Sequence, residues 1–308
     1  MNKTYKYRIY PNKKQIKRLC NCLDLCRNLY NAALEHRILA YRMAKKFISY
    51  KNQQNELPQI KEMFPEYKTV YSQVLQDPLR RLDKSFKAFF GRIKKGEKAG
   101  FPHFKGKDFY NSICYPQSGF SIKGNKLLLS KIGDIKIKCH RELKGKVKTC
   151  SIIREANKWF ACFTTDCGSI PEKKPIQSAI GIDLGLESFA TLSNGEKIDN
   201  PRYLIKSSEK LAREQRRLSK CKRGSNNRQK QKQRVSKVHN KIKNQRNDFL
   251  HKISRKLVDK YDLVVYEDLP VKNLIKNKYL AKSISDVSWN GFCQMLQYKA
   301  DERGKYAL

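Results

Sequence analysis

The chain has 308 residues, of which 67 are lysine or arginine and 28 are aspartate or glutamate, so its formal net charge is +39. So large a charge repels itself unless a polyanion neutralises it, which makes DNA or RNA the expected partner and a membrane surface the alternative. No apolar run approaches the roughly 20 residues that span a bilayer, and Met1–Tyr10 is polar and alternating rather than a signal peptide. We therefore expect no membrane insertion and a cytosolic location.

The first half of the chain predicts a strand, a helical region and then several short strands. Thr4–Tyr10 alternates apolar and polar residues, which predicts a half-buried strand. Helical periodicity marks Lys13–Lys46 and Leu79–Lys94, and Gly100–Lys107 breaks it. The strands predicted next are Leu127–Leu129, Ile135–Cys139, Val147–Arg154 and Trp159–Thr165. Together with the first strand they predict a small β-barrel or sandwich into which the helical region is inserted.

The second half begins after a linker predicted at Pro171–Pro175 and returns to longer helices. The predicted strands are Ile180–Leu184, Phe189–Ser193, Glu196–Ile198 and Leu263–Tyr266, with a further strand beginning at Tyr306. The predicted helices are Ser208–Lys220, Arg228–Lys260 and Ser288–Arg303. The first two strands should pair as a hairpin, and the first two helices should do the same.

Two of these strands carry a carboxylate at their tip, Asp183 in the first and Glu267 after the fourth. An acid in an apolar run is costly unless a cation meets it. A hairpin bearing an Asp, then helices, then a strand ending in Glu is the ribonuclease-H-like layout, in which the two strands are parallel neighbours. Both acids would then meet at one sheet edge, where hard oxygens suit Mg²⁺ and phosphodiester hydrolysis. For either acid alone, a turn or solvated role is the simpler alternative.

The ten cysteines do not form a metal-binding pattern. No CxxC occurs, and the five histidines lie far apart in sequence. In the one cluster, Cys22 and Cys26 share a helical face but Cys20 points elsewhere. We therefore expect reduced, mostly buried thiols, with a zinc site in this cluster as the alternative.

Five stretches carry a family resemblance that spans essentially the whole chain: Tyr5–Pro11, Gly100–Lys105, Gly181–Gly185, Val265–Leu269 and Trp289–Lys299. They are similar to the TnpB (insertion-sequence OrfB) family, transposon-encoded RNA-guided DNA endonucleases related to type V CRISPR effectors. The resemblance implies α/β, β-barrel and helical parts. A wedge β-barrel would be formed by residues 1–10 and 101–173, with a helical recognition domain at 11–100 between them. A RuvC-like nuclease domain at 174–308 would include a basic helical hairpin at 205–260.

The same resemblance implies the partners and the cofactor. The partners would be a guide RNA transcribed from the element's end and a double-stranded DNA target with a short adjacent motif, in a prokaryotic cytosol or nucleoid. Mg²⁺ would be the cofactor, with Asp183 and Glu267 as the first two catalytic, metal-binding RuvC carboxylates.

The chain also departs from the family pattern. The family continues past the equivalent of Lys305 into a four-cysteine zinc ribbon and a third catalytic Asp, and these 308 residues contain neither. Asp286 and Asp301 lie before the expected position and should not replace it. We therefore expect no zinc site, a sheet that leaves Leu263–Tyr266 as an edge strand, and binding of guide RNA and DNA with weak or absent cleavage.

The predicted helical hairpin is strongly basic, with 17 Lys or Arg against 2 acids between Leu211 and Lys256. Its helices keep an apolar stripe, so they pack and leave the basic faces outward. A polyanion contact is then a better interpretation than a merely solvated face, and such contacts give affinity while the guide supplies sequence. The candidate contacts are Arg213, Arg216, Arg217, Lys220, Lys222, Arg223, Arg228, Lys230, Lys232, Arg234, Lys237 and Lys241.

Aromatic and basic residues also alternate at Tyr5–Lys13 and Phe101–Tyr110. Exposed rings beside cations can stack on unpaired bases, whereas buried rings would simply belong to the barrel core. His103 and Lys105 are candidate contacts here, and Tyr30 and Asn31 on the first long helix are candidates for reading target-adjacent duplex. Two other functions stay open: a non-cleaving RNA-guided repressor and a general RNA-binding protein. The sequence does not indicate an oligomeric state.

Overall fold

A computed structural model describes residues 1–274, 276–277 and 279–308. The chain divides after Gly168 into an N-terminal unit, Met1–Gly168, and a C-terminal unit, Ser169–Leu308. The division falls just before the predicted linker. Across the described ranges, no helix has both the length and the apolar character needed to cross a bilayer.

The N-terminal unit is built on an antiparallel sheet of seven strands in the order β2-β6-β7-β1-β5-β4-β3. The strands are β1 (Asn2–Tyr10), β2 (Ser112–Tyr115), β3 (Phe120–Lys123), β4 (Lys126–Leu129), β5 (Gly133–Lys138), β6 (Lys146–Glu155) and β7 (Lys158–Asp166). β1 lies between β5 and β7, which confirms that the first strand joins the later ones. Its alternation places Tyr5, Tyr7 and Ile9 in the core.

This sheet curls over its inner face. The ring centroid of Phe120 on β3 lies 6.3 Å from that of Phe163 on β7, although three strands separate these two in the sheet order. The end strands β2 and β3 share no ladder in the described part of the chain. The sheet therefore curves like part of a barrel but is open at its ends.

Four α-helices of the N-terminal unit lie between β1 and β2: α1 (Lys13–Ala44), α2 (Tyr50–Asn55), α3 (Leu57–Met63) and α4 (Ser72–Lys94). α1 begins at a capping box. The Asn12 side-chain oxygen accepts from the Gln15 backbone N–H, and the Gln15 side-chain oxygen accepts from the Asn12 backbone N–H, both at 2.9 Å. α4 begins earlier than predicted and passes through Pro78, because Val74 and Leu75 are buried in the core. Helices and sheet share this one core.

The C-terminal unit has a five-stranded sheet in the order β10-β9-β8-β11-β12. Its strands are β8 (Ala179–Leu184), β9 (Ser188–Leu192), β10 (Lys197–Asp199), β11 (Leu263–Tyr266) and β12 (Tyr306–Ala307). β8 and β9 form the predicted antiparallel hairpin, and β11 is parallel to both β8 and β12. The expectation that β11 lies at the sheet edge is wrong, because the backbone of β12 supplies it with a second partner.

Helices cover this sheet: α5 (Tyr203–Lys220), α6 (Asn226–Lys260), α7 (Val271–Leu274), α8 (Ala281–Val287) and α9 (Trp289–Asp301). Phe189 of β9 lies at the centre of the core. Its ring meets Phe249 of α6 at 5.0 Å and Phe292 of α9 at 4.9 Å, both edge to face. Such pairs favour this geometry and fix the helices on the sheet.

Lys299 joins α9 to α6 from a buried position. Its Nζ donates to Ser254 Oγ at 2.7 Å and to the His251 carbonyl at 2.8 Å. Burial, with a smaller contribution from Arg255, lowers the pKa of Lys299 to about 8. The buried ammonium therefore holds its proton less tightly than in the unfolded chain.

This shift predicts a pH-dependent stability. The unfolded chain binds more protons than the folded chain between about pH 8 and the ordinary lysine pKa of 10.5, so the contribution of Lys299 to the unfolding free energy rises with pH in that window. Lys299→Met should remove that rise, as measured by denaturant unfolding at several pH values. Lys282→Met, at an exposed position, should keep it, and equal behaviour of the two variants would contradict the assignment.

Candidate functional site

Asp183 and Glu267 lie at the same end of two adjacent parallel strands. In the β8–β11 ladder Val264 pairs with Ile180 and Tyr266 with Ile182. Glu267 follows directly and is level with Asp183 in this register. Ile182 and Leu184 are buried on one face, so Asp183 between them faces the other, exposed side. The predicted parallel arrangement is therefore confirmed, and it brings the two acids to one edge of the sheet.

Both carboxylates are exposed and unpaired. Asp183 and Glu267 form no side-chain hydrogen bond or ion pair with the rest of the described chain. In a protein of net charge +39, many acids pair with a cation, as Asp262 does with Lys305 at 3.2 Å. Two free carboxylates side by side therefore form a site that a cation would stabilise.

The other acids weighed as replacements serve structural roles. Asp286 is buried, accepts from Arg246 Nη2 at 2.7 Å and from the Leu204 amide at 2.9 Å. Asp301 pairs with Lys173 at 2.7 Å. Among the residues with described positions, no three His, Cys, Asp or Glu side chains form a group that could hold a metal ion. Within the described residues, no third ligand therefore completes a metal-binding group with Asp183 and Glu267.

The predicted basic hairpin is present as α5 and α6. Buried Gln231 joins the two helices by donating to the Glu214 carbonyl at 3.0 Å. The remaining faces carry the predicted cations on the outside. Those exposed are Arg213, Arg216, Arg217, Lys220, Lys222, Arg223, Lys230, Arg234, Lys237 and Lys241.

Two of the predicted hairpin contacts are less available. Arg228 is half-buried, and its Nη1 donates to the carbonyls of Leu218 at 2.9 Å and Cys221 at 3.0 Å. It therefore caps the end of α5 and shapes the turn. Lys232 is also half-buried and is engaged with other described groups.

The prediction for Tyr30 is wrong, because its side chain is only 2% exposed and belongs to the core. Asn31 is half-buried and bonds within the chain, and its contact with duplex DNA stays a prediction. Its amide donates to the Lys105 carbonyl at 3.0 Å and accepts from the Lys105 backbone N–H at 2.7 Å. Asn31 thus fixes the segment that carries His103, which is exposed, and Lys105.

The alternating aromatic residues divide between core and surface. Tyr5, Tyr7 and Tyr110 are buried, as the core alternative expected. Phe101 and Phe104 are 42% and 55% exposed. Sequence alternation did not distinguish the two groups, because a ring beside a lysine fits either place.

Comparisons with known proteins identify the family. Residues 162–278 match the OrfB model of IS605-type elements, described as "Probable transposase", and residues 1–46 match its companion model, described as a helix-turn-helix domain. A "Putative RNA-guided DNA endonuclease" of Streptomyces pristinaespiralis is 35% identical over 99% of this chain and 76% of its own length. This chain belongs to the OrfB, or TnpB, family.

One further relative and one solved structure are also similar to this OrfB-family chain. The "Putative RNA-guided DNA endonuclease InsQ" of Escherichia coli K12 is 29% identical over 99% of this chain and 79% of its own length. A solved Cas12f1–guide RNA–target DNA complex has a TM-score of 0.35 at 14% identity, covering 99% of this chain and 84% of that one.

The described structure qualifies one of the matched models. Residues 1–46 are not a helix-turn-helix, because they form strand β1 and the single long helix α1. The capping box at Asn12 starts that helix directly after the strand. Nothing about DNA reading by a recognition helix follows from this match.

Proposed function

We propose that this OrfB-family chain is an RNA-guided DNA-binding protein whose C-terminal unit is a RuvC-like nuclease domain. The family relationship, the names of its relatives and the net charge of +39 support a nucleic-acid partner. Its guide would be an RNA transcribed from the end of the element. Its target would be double-stranded DNA beside a short motif, with the curled sheet of the N-terminal unit acting as the wedge domain.

The pair of unpaired carboxylates carries the nuclease part of this proposal. Asp183 and Glu267 are level on adjacent parallel strands and exposed. Their donor set fits Mg²⁺, which prefers carboxylate oxygens and keeps several positions for water or phosphate. When bound, Mg²⁺ would supply an activated water and charge stabilisation for phosphodiester hydrolysis. The role of the two side chains is to hold the ion at the sheet edge, facing solvent where a strand of DNA can approach.

The hairpin would supply affinity. Its exposed guanidinium and ammonium groups project from α5 and α6, so they suit contacts with successive phosphates. Because such contacts carry no sequence information, selectivity would come from base pairing with the guide.

We predict that the two carboxylates bind the metal together. In a titration with Mn²⁺, followed by electron paramagnetic resonance, the unchanged protein should bind the ion. Asp183→Ala and Glu267→Ala should each weaken that binding strongly, because a divalent ion loses half of its protein ligands. Glu209→Ala, which removes an exposed acid from α5, should have no effect. Equal Mn²⁺ affinity in all four proteins would contradict the site.

We predict weak or absent DNA cleavage by the 308-residue chain with guide RNA and Mg²⁺, because only two carboxylates meet at the edge. Asp183→Ala should leave binding of guide and target unchanged. Rapid cleavage by the unchanged chain that disappears in Asp183→Ala would overturn the weak-activity prediction and would establish Asp183 as catalytic.

Sequencing the RNA that copurifies with the protein distinguishes a guide RNA from general RNA binding. A guide would appear as one dominant species, whereas general binding would give bulk ribosomal RNA.

A further inference from the structure

The N-terminal unit contains an aromatic groove that no part of the proposed nuclease uses. It lies between the C-terminal part of α1, the segment that follows α1 and the C-terminal part of α4. Its volume is about 730 Å³, within the range of sites that hold small molecules. The rings that line it are Tyr41, Phe47, Phe86, Phe89, Phe90 and Phe101.

The end of α1 builds one wall of this groove. Lys45 has φ 52°, a left-handed conformation that is uncommon for a lysine, and the Lys46 amide donates back to the Ala40 carbonyl at 3.1 Å. The chain therefore reverses here and returns Phe47 to Tyr41, with ring centroids 5.2 Å apart. Phe47 remains 73% exposed.

The opposite wall is equally well formed. Phe101 stands edge-on against Phe86 at 5.6 Å and against Phe89 at 5.3 Å. Phe101 and Phe90 are 42% and 44% exposed. Edge-on packing holds Phe101 in place while leaving ring surface open to the groove. Exposed apolar surface concentrated in this way marks a binding site more often than a chance arrangement.

The charges around the groove favour an anion. Its one acid, Asp83, is already paired with Arg37 at 3.5 Å and with Lys87 at 2.9 Å. The exposed cations Arg42 and Lys46, by contrast, form no ion pair with another described residue. Two free cations therefore stand beside open ring faces.

We propose that this groove holds an unpaired nucleobase, stacked on Phe47 and Phe101, whose flanking phosphates are bound by Arg42 and Lys46. Stacking on aromatic side chains beside cations is how proteins hold single-stranded nucleic acid, and it tolerates any base because every base has a π face. The proposal rests on the proposed function only in taking nucleic acid as the partner. It does not depend on Asp183, Glu267 or cleavage.

The test compares a short oligothymidylate with an abasic oligomer of equal length, in both DNA and RNA sugar forms. The two oligomers share their phosphates and differ in their bases. Phe47→Ala should weaken oligothymidylate binding about fivefold or more, since one stacked base contributes about 1–3 kcal/mol. It should leave abasic binding unchanged. Phe47→Trp should restore the tighter binding of oligothymidylate relative to the abasic oligomer. Comparing the DNA and RNA forms shows which sugar the groove accepts.

A matched control separates stacking at the groove from loss of any exposed ring. Phe109→Ala removes an 80% exposed ring of the same unit outside the groove and should have no effect. The double variant Arg42→Ala, Lys46→Ala should weaken the binding of both oligomers and lower the slope of log affinity against log salt by about 1.4, since each phosphate contact on a single strand contributes about 0.7.

Three results would overturn the proposal while leaving the proposed function intact. The first is that Phe47→Ala and Phe109→Ala lower the affinity for oligothymidylate equally in a protein that still binds nucleic acid. The second is that Phe47→Ala lowers the affinity for oligothymidylate and for the abasic oligomer by the same factor. The third is a concentration-dependent dimer that Phe47→Ala abolishes. The last would make the groove an interface between two copies. Failure of the unchanged protein to bind either oligomer or guide RNA would instead reject the proposed function itself.

Discussion

Asp286→Ala should lower the unfolding free energy of the C-terminal unit by about 3–5 kcal/mol, the usual cost of breaking a buried ion pair. The Asp286 side chain is 5% exposed and lies 2.7 Å from Arg246 Nη2. Its other oxygen accepts from the Leu204 amide, at the start of α5, where no local side chain caps the helix. The substitution would therefore leave Arg246 without its partner and α5 without its cap. Denaturant unfolding measures the loss.

Asp301→Ala is the matched control for this prediction. It also breaks an ion pair with a lysine, Lys173, but both side chains there are about one-third exposed. An exposed pair contributes only about 0–1 kcal/mol. Hydrogen exchange gives an independent readout, because the Leu204 amide should lose protection in Asp286→Ala alone. Similar destabilisation by the two substitutions would contradict the structural role of Asp286.

Removing six exposed charges from the hairpin should give the largest change in nucleic-acid binding. Each phosphate contact contributes about 0.9 to the slope of log affinity against log salt on duplex DNA. Replacing these six residues with glutamine should then lower that slope by up to about 5 and cost several orders of magnitude in affinity at low salt. The residues are Arg216, Lys220, Lys222, Arg223, Lys230 and Arg234.

The control removes the same charge from the N-terminal unit. Six exposed lysines of its sheet and loops are replaced in the same way, namely Lys123, Lys126, Lys136, Lys138, Lys144 and Lys146. Net charge falls equally in the two variants, so general attraction to a polyanion falls equally too. Circular dichroism should show α5 and α6 intact. If both variants lose the same salt slope, total charge rather than the hairpin surface governs binding.

Periodicity predicted most elements of the fold. β11 was predicted at Leu263–Tyr266, the bounds that the structure gives it, because a short apolar run between polar residues is typical of a buried strand. The N-terminal boundary of α4 was missed, since Pro78 normally ends a helix. Burial of Val74 and Leu75 outweighs that preference. Strands β2 and β3 were also missed, because each mixes polar with apolar residues and so lacks the continuous apolar run that marked β4 and β11, which are equally short.

The sequence predicted the parts of the site that depend on strand order, but not the exposure of individual aromatic side chains. The apolar run around Asp183 predicted that this acid lies at the tip of β8, and the ribonuclease-H-like layout placed β11 beside it, as the structure does. Helical spacing did indicate that Tyr30 is buried, because Cys26, Tyr30 and Leu34 recur every four residues on the apolar face of α1; the proposed contact with duplex DNA overlooked that signal. The exposure of Phe47 had no such signal, because it follows from the chain reversal at Lys45.

The central position of β1 has a consequence for how the protein is made. β1 is translated long before its partner β7, which ends at Asp166. At about 5–20 residues per second, roughly 10–30 s of translation pass before that partner exists. During this interval the side chains of Tyr5, Tyr7 and Ile9 cannot be buried in the complete core. Nascent chains stalled before Trp159 should therefore bind chaperones that recognise apolar strands, and chains extended well beyond Gly168 should release them.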